Sequence, residues 1–392
     1  MIINNEKIRI LGKGITALAL KDKFPNATLY DDNDFNEYDL NSNEYTVVSP
    51  GIPPYNKMVL YSKNLISDYD LFASVMPFSV WISGTNGKTT TTQMCQHLLK
   101  EYGSIYGGNI GVPLSHLDQK APIWILETSS FTLHYTNKTK PNIYILLPIS
   151  EDHITWHGSF EEYKNAKLKP LSLMNENDIA IIPEECKSFK TDAHVITYKN
   201  SDDLCEHFNI NKSNIKFNEP FLLDAILAMA VRKIIFDEIN YDLINEFVID
   251  KHKVEEFKDK KNRLWIDDSK ATNVDATINA IVPYKDKSIH IILGGDDKGA
   301  NLLPLFENIK NLNISVYAIG SNTEKIVKYC NEYNINVKSC THLNLAVSKI
   351  NLALDEKSIA MLSPAAASLD QFKSYAHRGD EFKKLVGSLS WY

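Results

Sequence analysis

The stretch FSVWISGTNGKTTTTQMCQHLLKE, residues 78 to 101, constrains the chain more than any other. An apolar run of strand character enters a turn with two glycines, and a lysine and four threonines open the segment that follows. Glycines let backbone N–H groups approach phosphate oxygens, and a helix starting there points its positive end at them. The full phosphate-loop pattern places four residues between its first glycine and the Gly-Lys pair. Gly84 lies only three positions before Gly87, so the match is to a shorter form. A plain glycine turn before a helix is the competing reading. The order of strand, loop, lysine, threonine and helix favours a nucleotide held by Gly84, Thr85, Asn86, Gly87, Lys88, Thr89 and Thr90. Lys88 is expected against the terminal phosphates, Thr89 offers its hydroxyl to Mg²⁺, and the helix is expected from about Thr89 to Glu101.

The same alternation recurs on both sides of this loop. KIRIL (7–11) leads into GKGITALAL, where Gly12, Gly14 and Ala17 fit the turn of a dinucleotide-type βαβ half, and TLYDD ends a second run on Asp31 and Asp32. YTVV then enters SPGIPP, with Ser49, Pro50 and Gly51 in a tight turn. After the phosphate loop come IWILE and IYILLPIS, then a helical FLLDAILAMAVRKII. The charged DKHKVEEFKDKKN (250–262) reads as a linker and natural hinge. Beyond it RLWIDDSKATN, HIILGGDDKGAN, SVYAIGSN and IAMLSPAAAS restart the pattern. Strands alternating with helices predict parallel sheets with ligands at the carboxyl ends of the strands. A chain of 392 residues exceeds what one core usually supports. The expectation is an α/β protein of three domains: a short Rossmann-like unit over 1–78, a central P-loop unit with a parallel sheet over 79–249, and a Rossmann-like α/β unit over 250–392.

A formal net charge of -7 excludes a general nucleic-acid binder, because phosphate backbones are held by clustered Lys and Arg. Five cysteines without a CxxC pair argue against a disulfide framework or zinc site. Without a basic, apolar leader or an apolar run of spanning length, a soluble, cytoplasmic protein without membrane partners is expected.

Four side chains invite a chemical reading. Glu127 closes IWILE where a carboxylate could meet Mg²⁺, and His153 lies just past the end of the next strand run. His157 is a turn histidine without assigned chemistry. Lys167 sits on a helix expected to begin near Ser159 and by default is a surface lysine.

The set GTNGKTTT, GGNIG (107–111), ETSSF (127–131), EDHITWHGSFEEYKNAK, DDSKATN (267–273), GGDDK (294–298) and SPAAASLDQFKSYAHRGDEF (363–382) resembles, in order and over nearly the whole chain, the Mur ligases of bacterial cell-wall synthesis. The C-terminal run is most similar to the members that add D-glutamate. The resemblance implies three domains and ATP-dependent amide formation through an acyl phosphate. It also implies ATP, two Mg²⁺ ions, UDP-N-acetylmuramoyl-L-alanine and D-glutamate as ligands, and a monomer is expected. It gives Lys88, His153 and Lys167 catalytic roles and makes Thr89, Glu127, His153 and Lys167 metal ligands, Lys167 after carbamylation by CO₂. Asp268 and Lys270 match nucleotide contacts. Thr272, Lys298, Ser368 and Tyr375 fall where D-glutamate is held. Ile15, Thr16, Asp31, Ser49, Pro50, Gly51, Asn109 and Ser129 fall along the UDP-sugar substrate.

The chain departs from the family pattern at several points. A histidine-asparagine pair is replaced around Asn218 and Asp224, a hinge arginine by Lys253, and a basic residue by Asn33. Pro148 and Thr132 stand where asparagine and glutamine are usual. Three alternatives remain: another Mur-type or folylpolyglutamate-type ligase with a different acceptor or amino acid, a nucleotide-dependent switch, and a dinucleotide oxidoreductase.

Overall fold

A computed structural model describes residues 8–31 and 34–389 of the chain; Asp32, Asn33 and Lys7 lie outside the described residues. It contains three sheets. The first holds β1 (Ile8–Leu11), β2 (Thr28–Tyr30), β3 (Tyr45–Val48) and β4 (Leu65–Ile66) in the order β2-β1-β3-β4, all parallel. Gly12 and Ser49 leave adjacent strands side by side, with Gly12 N donating to Tyr30 O (2.7 Å) and Ser49 N to Leu11 O (2.9 Å). At φ 108° with Ser49 Cβ only 2.7 Å from where a Cβ would sit, position 12 requires glycine.

The second sheet contains β5 (Phe78–Ser83), β6 (Ser104–Gly108), β7 (Ile123–Glu127), β8 (Ile143–Leu146), β9 (Ile179–Pro183) and β10 (His194–Tyr198), ordered β10-β9-β8-β5-β7-β6 and parallel throughout. Val80, Trp81 and Ile82 of β5 are fully buried. Strands covered on both faces read as continuous apolar runs, which is why β5, β7 and β8 stand out in the sequence. One core joins these two sheets, and Tyr69 meets Trp81 edge-on at 4.7 Å.

The third sheet contains β11 (Glu255–Lys258), β12 (Leu264–Asp267), β13 (Ser288–Gly294), β14 (Ile314–Ile319), β15 (Asn336–Thr341) and β16 (Ser358–Leu362), ordered β11-β12-β16-β13-β14-β15. Every pair is parallel except β11 with β12. The stretch 250–262, expected as a linker, instead contributes a strand. Glu255–Lys258 is an edge strand of this sheet, and its alternation of half-buried and exposed residues hid among the charges.

Two compact units result. The first two sheets fall in the unit that ends at Phe247, and the third sheet falls in the unit from Val248 onward, with which Asn218–Pro220 are grouped. Among the described residues no helix is long and apolar enough to cross a membrane.

Candidate active site

In the first unit, β5 lies between β7 and β8, so the loops leaving these three strands meet at one end of the sheet. The loop after β5 runs from Gly84 into the helix Lys88–Leu99. Gly84 has φ 143°, and a Cβ there would lie 2.4 Å from Leu147 Cβ; Gly87 has φ 83°, with Asp224 Oδ1 2.6 Å from its would-be Cβ. Both positions therefore need glycine. Thr85 is a staple rather than a free hydroxyl. Its N–H donates to Pro148 O (3.1 Å), while its Oγ1 meets Ser150 N (2.9 Å), Ser150 O (3.1 Å) and Tyr163 Oη (3.0 Å). Asp224, buried at the start of the helix Phe221–Phe236, accepts from Thr91 Oγ1 at 2.8 Å. The residue that departs from the family pattern thus braces the phosphate loop from behind. Half-buried Lys88 folds onto the loop, donating to Gly84 O (3.0 Å) and Thr85 O (2.7 Å).

Glu127, buried at the end of β7, accepts from Thr89 Oγ1 and from Asn109 Nδ2, each at 2.8 Å. Asn109 N also donates to Glu127 O (2.9 Å), so this asparagine fixes both ends of the glutamate. A hydroxyl and a carboxylate in contact form the hard oxygen set that Mg²⁺ selects. Ser129 caps the helix Ser130–Tyr135 by accepting from Thr132 N (3.1 Å), and its Oγ also lies 3.0 Å from the Thr132 hydroxyl. His153 stands at φ 54° before the short helix Ile154–His157, edge-on to Phe131 (4.7 Å between ring centres) and with Nε2 3.6 Å from Asp152. His157 is not a solvated turn residue. It is buried, and its Nε2 meets Ser130 Oγ at 3.0 Å. That contact joins the loop bearing Glu127 to the loop bearing His153.

Lys167 is no surface residue either. The helix Phe160–Leu173, capped by Ser159, carries it into the interior at 1 % exposure. Its Nζ donates to Gly84 O (2.6 Å) and lies 4.7 Å from the Tyr163 ring, one turn back on the same helix. Burial, reinforced by the Lys88 charge, holds its ammonium far below the ordinary lysine range despite Asp152 and Glu127 nearby. Desolvation thus favours the neutral amine, which is the nucleophilic form; as an ammonium the group could not ligate a cation.

Of the residues expected along the sugar nucleotide, Ile15, Thr16, Asp31, Ser49, Pro50 and Gly51 follow β1, β2 and β3, whereas Asn109 and Ser129 follow β6 and β7. Ile15 is 80 % exposed, Thr16 and Pro50 are half-buried, Gly51 is exposed and Ser49 is buried. Asp31 is engaged by Lys13 (2.7 Å). Tyr135 Oη donates to Ile52 O (2.8 Å), tying the Ser49–Gly51 turn to the helix that Ser129 caps.

In the second unit, β12, β16 and β13 are neighbours, and the loops after them carry the remaining motifs. Asp268 is buried and accepts from Val254 N (3.2 Å) and Ser363 Oγ (2.6 Å); burial pushes its carboxyl up to about 7. Lys270 is exposed, with its Nζ 4.1 Å from the Tyr375 ring. Thr272 and Lys298 are exposed, whereas Ser368 is buried. Arg378, fully buried, escaped the sequence reading. It donates to Ser269 Oγ (2.9 Å), Ser269 O (2.8 Å) and Ala366 O (3.1 Å), joining the loops after β12 and β16, and burial lowers its guanidinium to about 10.

His252, buried at φ 64°, pairs with Asp267 (2.6 Å) and accepts from Lys270 N through its carbonyl (3.0 Å). Together with Glu255 it has the spacing of a metal cluster. Lys383 lies 2.9 Å from Glu255 and 3.8 Å from Asp267 and already supplies the cation. Lys253 pairs with Asp250 (3.1 Å). From His252 on, the chain is fastened to the third sheet. Asn218 is exposed.

The Mur ligase middle domain family matches residues 82–222. The UDP-N-acetylmuramoylalanine–D-glutamate ligase of Campylobacter jejuni subsp. jejuni serotype O:23/36 (strain 81-176) is 50% identical over 401 residues, covering 98% of this chain and all of that relative. The Helicobacter pylori (strain ATCC 700392 / 26695) protein of the same name is 44% identical, covering 97% and 99%. Among solved structures, the MurF ligase of Thermotoga maritima in complex with ADP matches in fold with a TM-score of 0.61 at 14% identity, over 97% of this chain and 93% of that one.

Proposed function

The chain belongs to the Mur ligase family, and from that premise we propose how its residues perform the reaction. It is an ATP-dependent ligase that adds D-glutamate to UDP-N-acetylmuramoyl-L-alanine in peptidoglycan precursor synthesis. The alanyl carboxylate is a poor acyl donor. It attacks the γ-phosphorus of ATP, ADP leaves, and an acyl phosphate forms. The glutamate amine then attacks the acyl carbon, loses a proton, and inorganic phosphate departs.

Phosphoryl transfer depends on positioning and charge neutralisation. Lys88 would exchange its carbonyl partners on the loop for terminal phosphate oxygens. Thr89 and Glu127 would hold one Mg²⁺, and His153 with carbamylated Lys167 a second, where the ions would neutralise phosphate charge. The single observation that carries this reading is Lys167, a buried lysine whose hydrogen bonds among the described residues go to Ser83 Oγ and to Gly84 O of the phosphate loop and not to a carboxylate. Its neutral nitrogen attacks the carbon of CO₂, an N–C bond forms and a proton leaves to solvent. The lysine then carries the negative charge that a cation site needs.

Lys270, with the buried Asp268 beneath its loop, is assigned to the nucleotide. Thr272, Lys298, Ser368 and Tyr375 are assigned to D-glutamate, and Ile15, Thr16, Asp31, Ser49 to Gly51, Asn109 and Ser129 to the sugar nucleotide. Domain boundaries at 1–78, 79–249 and 250–392 are supported by one sheet in each. A cytoplasmic monomer acting on small molecules completes the proposal. Phosphate release with UDP-N-acetylmuramoyl-L-alanine and D-glutamate, each omitted in turn, tests it. Release is expected only with both present, and release without a new amide would refute it.

A further inference from the structure

The loop after β13 carries three charges in sequence, Asp296, Asp297 and Lys298. Lys298 stands exposed at φ 50°, and among the described residues its ammonium has neither an ion pair nor a hydrogen bond. Neither acidic neighbour pairs with that ammonium among the described residues. Asp296 Oδ1 accepts from Lys298 N (2.9 Å), and its backbone pairs with Ala367 in both directions (3.0 and 2.8 Å). Asp297 turns inward, its side chain 12% exposed. There it accepts from Lys325 Nζ (2.8 Å), Gly299 N (2.9 Å) and Asn322 Nδ2 (3.3 Å). Lys325 also donates to Ala300 O (2.7 Å), closing the loop at its far end. Burial alone would raise the Asp297 carboxyl, yet the Lys325 hydrogen bond and the two further donors hold it below its ordinary value.

We propose that Lys325 is a positioning residue for the amino-acid substrate: by holding Asp297 inward and neutralised, it keeps that carboxylate away from the Lys298 ammonium. An unneutralised carboxylate one residue away would compete with an incoming carboxylate for the same ammonium. The inference rests on the assignment of Lys298 to D-glutamate.

Steady-state kinetics on the full-length enzyme with UDP-N-acetylmuramoyl-L-alanine and ATP test it. Lys325→Met is expected to raise KM for D-glutamate about fivefold, the size of a partly exposed charge interaction, with KM for ATP unchanged. Asp297→Asn added to Lys325→Met removes the competing charge and is expected to bring KM back toward wild type. A double variant as impaired as the single one, or worse, would overturn the proposal, because Lys325 would then act only as scaffold. Lys298→Ala separates the two readings. If it raises KM for D-glutamate while Lys325→Met does not, the role of Lys325 falls and the Lys298 assignment stands. If Lys298→Ala leaves that KM unchanged, both fall.

Discussion

The loops of the second sheet and those of the third handle charge in opposite ways. Around the phosphate loop, the lysine proposed to react is itself buried, and Lys88 and Lys167 both donate to the same carbonyl, Gly84 O. In the third sheet the candidate ligand groups Lys270, Lys298 and Thr272 stand exposed while Ser368 is buried, and buried or half-buried charges hold the loops in place. Arg378 joins two loops, His252 with Asp267 fastens the chain entering the sheet, and Lys325 with Asp297 pins a third loop. Burying a functional lysine changes its chemistry, since desolvation favours the neutral amine. Burying supports leaves the exposed groups with ordinary chemistry and fixes where they stand. One region makes a reactive group; the other presents recognition groups.

The hardest blow to this comparison comes through Lys88. Lys88→Ala should lower ATP turnover by roughly 10³-fold with an unchanged far-UV spectrum, because a lost phosphate-neutralising charge acts on the transition state. Normal phosphate release would remove the phosphate-loop assignment. Next, Lys167→Ala should cost roughly 10²-fold and be partly restored by small carboxylic acids in the assay, since the modified side chain is proposed to act through a carboxylate. Full activity without any acid would return Lys167 to a packing role.

A smaller effect addresses the supports. Gly379 lies inside the helix Tyr375–Gly387, where alanine ordinarily gains about 1 kcal/mol. Here the added Cβ would sit 2.2 Å from His252 Nδ1 and 2.9 Å from Asp267 Oδ2. Gly379→Ala should therefore destabilise the protein by about 2 kcal/mol in urea unfolding, the usual cost of overpacking. A stabilised variant would show that the His252–Asp267 support yields freely.

The smallest effect asks whether buried charge in the first unit carries a stability cost. Burial pushes the Asp68 carboxyl from 3.8 up to about 7. The folded state thus holds an extra proton between those values, and stability falls as pH rises through that window. Asp68→Asn, which can still accept from Tyr69 N, should gain on the order of 1 kcal/mol at pH 8 and nothing near pH 4 in thermal melts. A gain independent of pH would mean that packing, not charge, is responsible.

Much of the fold was legible because its central strands are apolar on both faces. β1, β3, β5, β7, β8, β12, β13, β14 and β16 all coincide with runs expected as strands. Of the strands that escaped, β4, β6, β10, β11 and β15 are edge strands, whereas β9, IAIIP, lies inside its sheet and its apolar run went unread. β6 reads SIYGG, β11 reads EEFK, and β15, NVKSCT, buries only Cys340. Half-covered strands need only one apolar face, and short ones leave too few residues to show it.

Within the candidate site, local motifs announced the phosphate loop, Glu127 and the strand-end serines and lysines. They could not announce Asp224 behind Gly87, Asn109 on Glu127 or Arg378 between two loops, because partners separated by tens to hundreds of residues leave no spacing to read.

The sequence by itself determined where the chain bends and what each bend can offer: glycines where a side chain would collide, a lysine and threonine at a helix start, carboxylates and serines at strand ends. Those are local consequences of backbone sterics and periodicity. Only the tertiary structure decided which of those groups are buried, and burial sets their chemistry. Lys167, Lys270 and Lys298 are the same residue type. One is sealed beneath the phosphate loop and two face water, because the cost of desolvating a charge depends on the elements packed around it.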